Sequence, residues 1–261
     1  MNQIIGAQLF TLRDTTTTVE DFEKTVKRVT EMGFDYYQYS GVSAPITPEK
    51  VRDINNKYGA KIACSHISEG RLLTEPEKVA EESIIMGCPT VGLSIYTKTK
   101  LTTLDDVKVY IKEMQHIGKV MHSYGLKFGI HNHMWEFHRF EGKSVLEFTR
   151  DNTDPNEVEF IFCPFWSMTG GADPVEYIYN FKGRINTMHY KDMTVLNAER
   201  AFCEVGQGNM NYKKIWQAAE ETGVKYALIE QDICQRDPFD CMKDSADYMK
   251  SIALEYDKRQ A

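Results

Sequence analysis

No apolar stretch approaches the roughly 18 residues that would suggest a membrane-spanning helix. No block of basic residues stands out either, in a 261-residue chain with formal net charge −7, 31 Lys and Arg against 38 Asp and Glu. A nucleic-acid groove or an anionic membrane surface wants concentrated positive charge, so neither is expected as a partner. The six cysteines (Cys64, Cys88, Cys163, Cys203, Cys234 and Cys241) form no CxxC pair. Zinc-finger spacing is therefore absent, and a chain this long needs no disulfide framework. Free thiols point to a reducing compartment. Met1 to Gln3 leads straight into an apolar run with no room for a signal peptide, so the cytoplasm is the expected location. The glycine-rich phosphate turn of an open nucleotide-binding sheet is missing too, since the turn after the first strand reads QLFTLRD. No linker or low-complexity segment divides residues 1–261, which predicts a single domain.

What the chain does contain is alternation. Strand-like runs are predicted at Ile4–Phe10, Phe34–Tyr39, Ala60–His66, Thr90–Tyr96, Phe128–His133, Val158–Cys163, Arg184–Lys191 and Lys225–Glu230. Amphipathic helical patterns separate them, several closed by a glycine such as Gly33, Gly59, Gly87 or Gly125. Eight strand–helix units in about 250 residues predict an α/β fold of the closed (β/α)8, or TIM-barrel, type.

Such a barrel gathers the carboxyl ends of its strands at one mouth. The stretch FGIHNHMWEF (Phe128 to Phe137) puts His131, His133 and Glu136 there, with the two histidines on one face because strand side chains alternate. Other strand ends add Gln8, Gln38, His66, Cys163, His189 with Lys191, and Glu230 with Asp232. Polar strand tips are common because loops are wet, and a strand rim with hydrogen-bonded histidines is the plainer reading of His131 and His133 alone. Imidazoles and carboxylates converging from three strands point instead to metal or acid–base chemistry.

Taken together, IIGAQLFTLRD, HNHMWEF, GGADPVEYI, GRINTMHYKD, EVGQGNMNYKKI and IEQD resemble the sugar phosphate isomerase/epimerase family with the xylose isomerase-like barrel, in the branch with the HNH motif. The resemblance spans essentially the whole chain. It implies one divalent metal (Zn, Mn, Co or Mg) held by His, Asp, His and Glu from strands five to eight. The matching positions are His131, Cys163, His189 and Glu230, so a cysteine stands where an aspartate is expected. Gln38 is a second departure, where many relatives carry glutamate. A Cys163 thiolate would soften the site towards zinc, and a neutral thiol would leave three ligands.

The chemistry implied is proton transfer beside a carbonyl through an enediolate, that is, sugar isomerisation or epimerisation. Glu230 is the expected base, Glu136 its partner for the second transfer, and Lys191 the stabiliser of an oxyanion. Gln8, Gln38, His66, His133 and Asp232 would orient hydroxyls, and Trp135 and Trp166 would wall the pocket. Cations for a phosphate are thin (Arg13, Lys191, Arg236), favouring an unphosphorylated sugar or keto-sugar. Two alternatives stand beside this reading: a lyase or dehydratase of a keto-polyol, and a degenerate sugar-binding member motivated by Cys163 and Gln38. Barrels of this kind often form dimers or tetramers, so a homo-oligomer is allowed for, though no residue pattern specifies one.

Overall fold

The computed structural model describes residues 3–98 and 100–260. β1 (Ile4–Gln8) runs through a 3-10 segment (Leu9–Thr15) into α1 (Val19–Glu31), and β2 (Tyr36–Tyr39) into α2 (Pro48–Tyr58). β3 (Lys61–Ser65) is followed by α3 (Glu69–Thr74) and α4 (Pro76–Met86), and β4 (Thr90–Leu93) by α5 (Leu104–Ser123). β5 (Lys127–His131) leads through a 3-10 turn (Trp135–Phe137) and a small hairpin, β6 (Arg139–Phe140) with β7 (Lys143–Ser144), into α6 (Val145–Asp151). β8 (Val158–Phe162) precedes α7 (Pro164–Thr169) and α8 (Pro174–Asn180). β9 (Ile185–Tyr190) precedes the hairpin of β10 (Asp192–Leu196) and β11 (Glu199–Cys203), then α9 (Tyr212–Thr222). β12 (Tyr226–Ile229) leads into α10 (Pro238–Gln260).

The helices begin where side chains can satisfy their free N–H groups. Thr18 accepts from Asp21 N at 3.1 Å, and Thr103 and Asp106 form a reciprocal capping box at the head of α5. Pro48 occupies the first turn of α2, where its missing N–H is no loss, and Gly59 closes that helix in the left-handed conformation at φ 72°.

The eight long strands pair in parallel in the order β3-β2-β1-β12-β9-β8-β5-β4. β3 and β4 then meet across a parallel bridge between Ile67 and Leu93. The seam is sealed by Ile67 N donating to Gly92 O (2.7 Å) and Ser94 N to Ile67 O (3.2 Å). The result is the expected (β/α)8 barrel. Its interior holds a small apolar plug of Ala63, Cys64, Ile161, Tyr226 and Leu228, with Ile4 and Tyr36 against it. The larger core lies between strands and helices, where Phe22, Tyr110, Phe160, Phe181 and Trp216 are fully buried. Gly92 has to be glycine: a Cβ there would strike the Ser65 carbonyl and come within 2.7 Å of Ile161 Cδ1.

Several strands end earlier than their sequence runs. His66, Cys163, Lys191 and Glu230 each sit one residue past the last ladder position of their strand. These residues leave the ladder at the mouth, where their polar groups can meet one another. Four short elements were not anticipated, α3, α7 and the two hairpins, because each lies inside a connection and lacks a long periodic signal.

Candidate active site

Three imidazoles meet at the carboxyl mouth: His66 after β3, His131 at the end of β5 and His189 within β9. Their ring centroids are 4.5–5.4 Å apart. One nitrogen of each lies within 4.8 Å of the others. The opposite nitrogen of each is held by a different partner. His131 Nδ1 is 3.1 Å from Ile161 O, His66 Nδ1 is 3.3 Å from Ser40 Oγ, and His189 Nε2 is 2.6 Å from Gln38 Oε1. Gln38 is oriented in turn by donating to Ser65 O at 3.4 Å. Because carbonyl oxygens can only accept, His131 Nδ1 and His189 Nε2 carry protons, which in a neutral His131 ring leaves the lone pair on Nε2. Burial first, and then neighbouring His189, hold His66 and His131 well below the usual histidine range. Both are neutral at pH 7.

Beside them sits a buried ion triad. Lys191 Nζ lies 2.7 Å from Glu230 Oε2 and 2.8 Å from Asp232 Oδ1. Burial, the largest single effect, would strip the ammonium of its proton, but Glu230, Cys163 and Asp232 together outweigh it and the net shift is upward. Burial likewise opposes the Glu230 charge, and Lys191 and His189 together outweigh it, so the carboxyl titrates well below its usual range. Asp232 moves the other way, raised by burial and then by the Glu230 charge. Gln8 Nε2 donates to Glu230 Oε1 at 3.2 Å, fixing the carboxylate from the first strand. The ammonium also faces the Phe165, Trp166 and Phe202 rings at 5.4–5.8 Å.

Cys163 is fully buried, and burial pushes its thiol up to about 12. It is therefore a neutral thiol, and it falls outside the group of three imidazoles. Asn132 clamps its backbone, accepting from Cys163 N (2.8 Å) and donating to Cys163 O (3.2 Å).

The mouth opens into a cavity of about 340 Å³ whose lining includes the apolar Phe10, Ile95 and Trp166 together with His66, His131, Lys191, Glu230 and Asp232. His133 lines it too, stacked flat on Trp135 (4.7 Å, 7°) and 5.4 Å from Trp166. Burial drops the His133 imidazole to about 4. Glu136 does not line the cavity. Its Oε2 accepts from His133 N at 2.8 Å, and burial raises the carboxyl to about 7.

The donor set fits a divalent cation. Among the described residues, His66 Nε2 and His189 Nδ1 are buried with no hydrogen-bond partner. His189 Nδ1 is 2.9 Å from Glu230 Oε2, yet neither atom completes a directed hydrogen bond there. Such a contact needs a proton on Nδ1 or a cation beside it, and the Lys191 ammonium already lies 2.7 Å from the same Oε2. The opposite nitrogens already held by Ile161, Ser40 and Gln38 are the arrangement that orients metal-ligating histidines.

Comparison with known proteins places the architecture. No family profile matches the chain. It is 22% identical over 258 residues to an inosose dehydratase of Lacticaseibacillus casei, covering 84% of this chain and 85% of that protein. A sugar phosphate isomerase/epimerase from Parabacteroides distasonis superposes with a TM-score of 0.79 at 22% identity, covering 95% of this chain and 93% of that one. An L-ribulose 3-epimerase superposes with a TM-score of 0.78 at 14% identity, over 99% and 96% of the two chains. The structural neighbours are thus xylose isomerase-like barrels that include sugar epimerases, and this chain shares their fold.

The mouth brings together most residues nominated from sequence: Gln8, Gln38, His66, His131, His133, His189, Lys191, Glu230, Asp232 and Trp166. Trp135 stands behind His133. Glu136, expected to move a proton, is instead buried outside the cavity lining and bound to the His133 backbone N–H. Lys191 pairs with Glu230 and not with its sequence neighbour Asp192, which accepts four backbone N–H groups of its own loop. Of the cations considered for a phosphate, Arg13 donates to Phe10 O (2.8 Å), and Arg236 is bound to Glu204 and Asp244. Ser40 and Ser94 were overlooked, although each follows a strand end by one residue. Phe202 and Arg200, which pack on Phe165 and Trp166, arrive on the unanticipated β10–β11 hairpin.

Proposed function

We propose that this mouth catalyses proton transfer at a carbon beside the carbonyl of an unphosphorylated sugar or keto-polyol, in the manner of a sugar isomerase or epimerase. The observation that carries the reading is the adjacency, in one cavity, of imidazoles with free nitrogens and the Lys191–Glu230–Asp232 triad. A divalent cation held by His131 and His189 would supply Lewis acidity at a carbonyl or hydroxyl oxygen.

The chain's own residues account for the proton movements. Glu230 and Asp232 are the carboxylates that face the cavity. One of them takes the proton from the carbon beside the carbonyl; the C–H electron pair becomes the new C=C bond, and the carbonyl oxygen gains the charge. Asp232 is the better matched, because its raised pKa makes it the stronger base of the two. Lys191 has three N–H donors and two carboxylate partners, so the third can be given to the developing oxyanion. Glu136 acts through His133, whose backbone it holds. Trp166 and Phe10 offer apolar faces to a sugar ring. The engagement of Lys191, Arg13 and Arg236 favours a substrate without phosphate.

Return of the proton to the neighbouring carbon, or to the opposite face, gives an isomer or epimer. Departure of a β-hydroxyl as water from the same intermediate gives a dehydrated ketone, a second reading favoured by the likeness to an inosose dehydratase. Incubation with unphosphorylated ketohexoses and a keto-cyclitol, followed by NMR and mass spectrometry, separates the two. An unchanged product mass is expected for isomerisation and loss of water for dehydration. Turnover of phosphorylated ketohexoses alone would overturn the assignment of a neutral substrate.

A further inference from the structure

We infer that His66 is a metal ligand of this centre and takes the place that the strand-six residue, Cys163, would otherwise fill. The inference rests on the reading of the mouth as a metal site, and it deepens that reading by naming the donor set and the class of ion.

Three independent features lead there. First, His66 Nε2 is buried, partnerless, and within 4.8 Å of ligand atoms on His131 and His189. Among the described residues nothing uses that nitrogen. Second, the strand bearing His66 is brought to this position by the barrel seam. Tyr39 O accepts from His66 N at 2.9 Å, and the Ile67–Leu93 bridge locks the next residue. Ser40 then holds Nδ1, so the ring turns its other edge inward. Third, Cys163 is absent from the group, while its backbone is clamped on both sides by Asn132. A ligand position lost on one strand is thus matched by an unused imidazole on another.

The consequence is selectivity. Three imidazoles form a nitrogen-rich centre, and the nearest carboxylate, Glu230, already faces the Lys191 ammonium. Gln38, an amide, holds His189 without adding charge. Hard ions such as Mg²⁺ and Mn²⁺ favour carboxylate and water oxygens, whereas imidazole suits Zn²⁺ and the later first-row ions. The centre should therefore take zinc or cobalt in preference to magnesium or manganese.

The test uses the full chain stripped with chelator, with Zn²⁺, Mn²⁺ and Co²⁺ as probes. Calorimetry should give one Zn²⁺ per chain, bound about 100-fold or more tighter than Mn²⁺. His66→Gln should weaken Zn²⁺ binding about 100-fold, and Cys163→Ser should leave it within about threefold. The Co²⁺ spectrum of the unmodified protein should lack a thiolate-to-cobalt charge-transfer band, a readout independent of whether any variant folds. A thiolate band that disappears in Cys163→Ser would overturn the inference, as would wild-type affinity in a folded His66→Gln. If the unmodified protein binds no metal under any condition, both this inference and the underlying metal reading fail. Binding that ignores His66 removes only the inference.

Discussion

Withdrawing the Lys191 ammonium would leave Glu230 and Asp232 facing each other in a buried mouth with no counter-charge. Lys191→Met should therefore destabilise the protein by about 3–5 kcal/mol in urea unfolding, the usual consequence of breaking a buried ion pair from one side. Adding Glu230→Gln to the same chain should recover part of that loss, because the stranded charge goes with it. Equal stability of Lys191→Met and the unmodified protein would mean that the triad is already neutralised by proton uptake. Glu136 makes a separate prediction. Burial raises its carboxyl from 4.5 to about 7, so between those values the folded state holds a proton that the unfolded state has released. Its contribution to stability is complete below pH 4.5 and declines as pH rises through 7, by about 3 kcal/mol at most. Glu136→Gln, which still offers an oxygen to His133 N–H, should flatten that decline; parallel pH–stability curves for the two proteins would contradict the assignment.

At the scale of elements, the β10–β11 hairpin is tied down by one side chain. The Asp192 carboxylate accepts from Met193 N (2.7 Å), Gly206 N (2.9 Å), Gly208 N (3.2 Å) and Met210 N (3.1 Å). Those bonds set the angle at which the hairpin delivers Phe202 onto Phe165 and Trp166. Asp192→Ala should cost about 3 kcal/mol of stability. It should also raise KM more than it lowers kcat, since it loosens a wall of the cavity and leaves the triad intact. A variant with unchanged KM would show that the hairpin does not shape the pocket. None of this was legible in the sequence, because the hairpin's position depends on side-chain to backbone bonds reaching 18 residues along the chain. The long strands and helices were legible: their apolar periodicity, threonine caps and stop glycines are local signals that the tertiary structure reinforces.

For the molecule as a whole, closure of the barrel determines what meets what. The parity of HNH and of the strand-end pairs was enough to nominate His131, His133, His189, Lys191, Glu230 and Asp232, because side-chain alternation and the shared mouth follow from the strand pattern. The partnerships between them were not accessible in this way. Gln8 reaches Glu230 across 222 residues, and Gln38 reaches His189 across 151. His66 enters the imidazole group only because the sheet closes on itself beside it. Glu136 was nominated by its nearness in sequence to His131, but the 3-10 turn after β5 buries it against the His133 backbone N–H.

The central claim, abstraction of a proton beside a carbonyl with help from a cation at the imidazoles, is tested most directly by solvent exchange. Unphosphorylated ketohexoses and a keto-cyclitol would be incubated in D₂O with zinc-loaded protein and with chelator-stripped protein, and the proton signal beside the carbonyl followed by NMR. Its loss with the loaded protein, and its persistence with the stripped protein and with an Asp232→Asn, Glu230→Gln double variant, is the predicted result. Exchange at the same rate in all three samples, or in none of them, would contradict the mechanism.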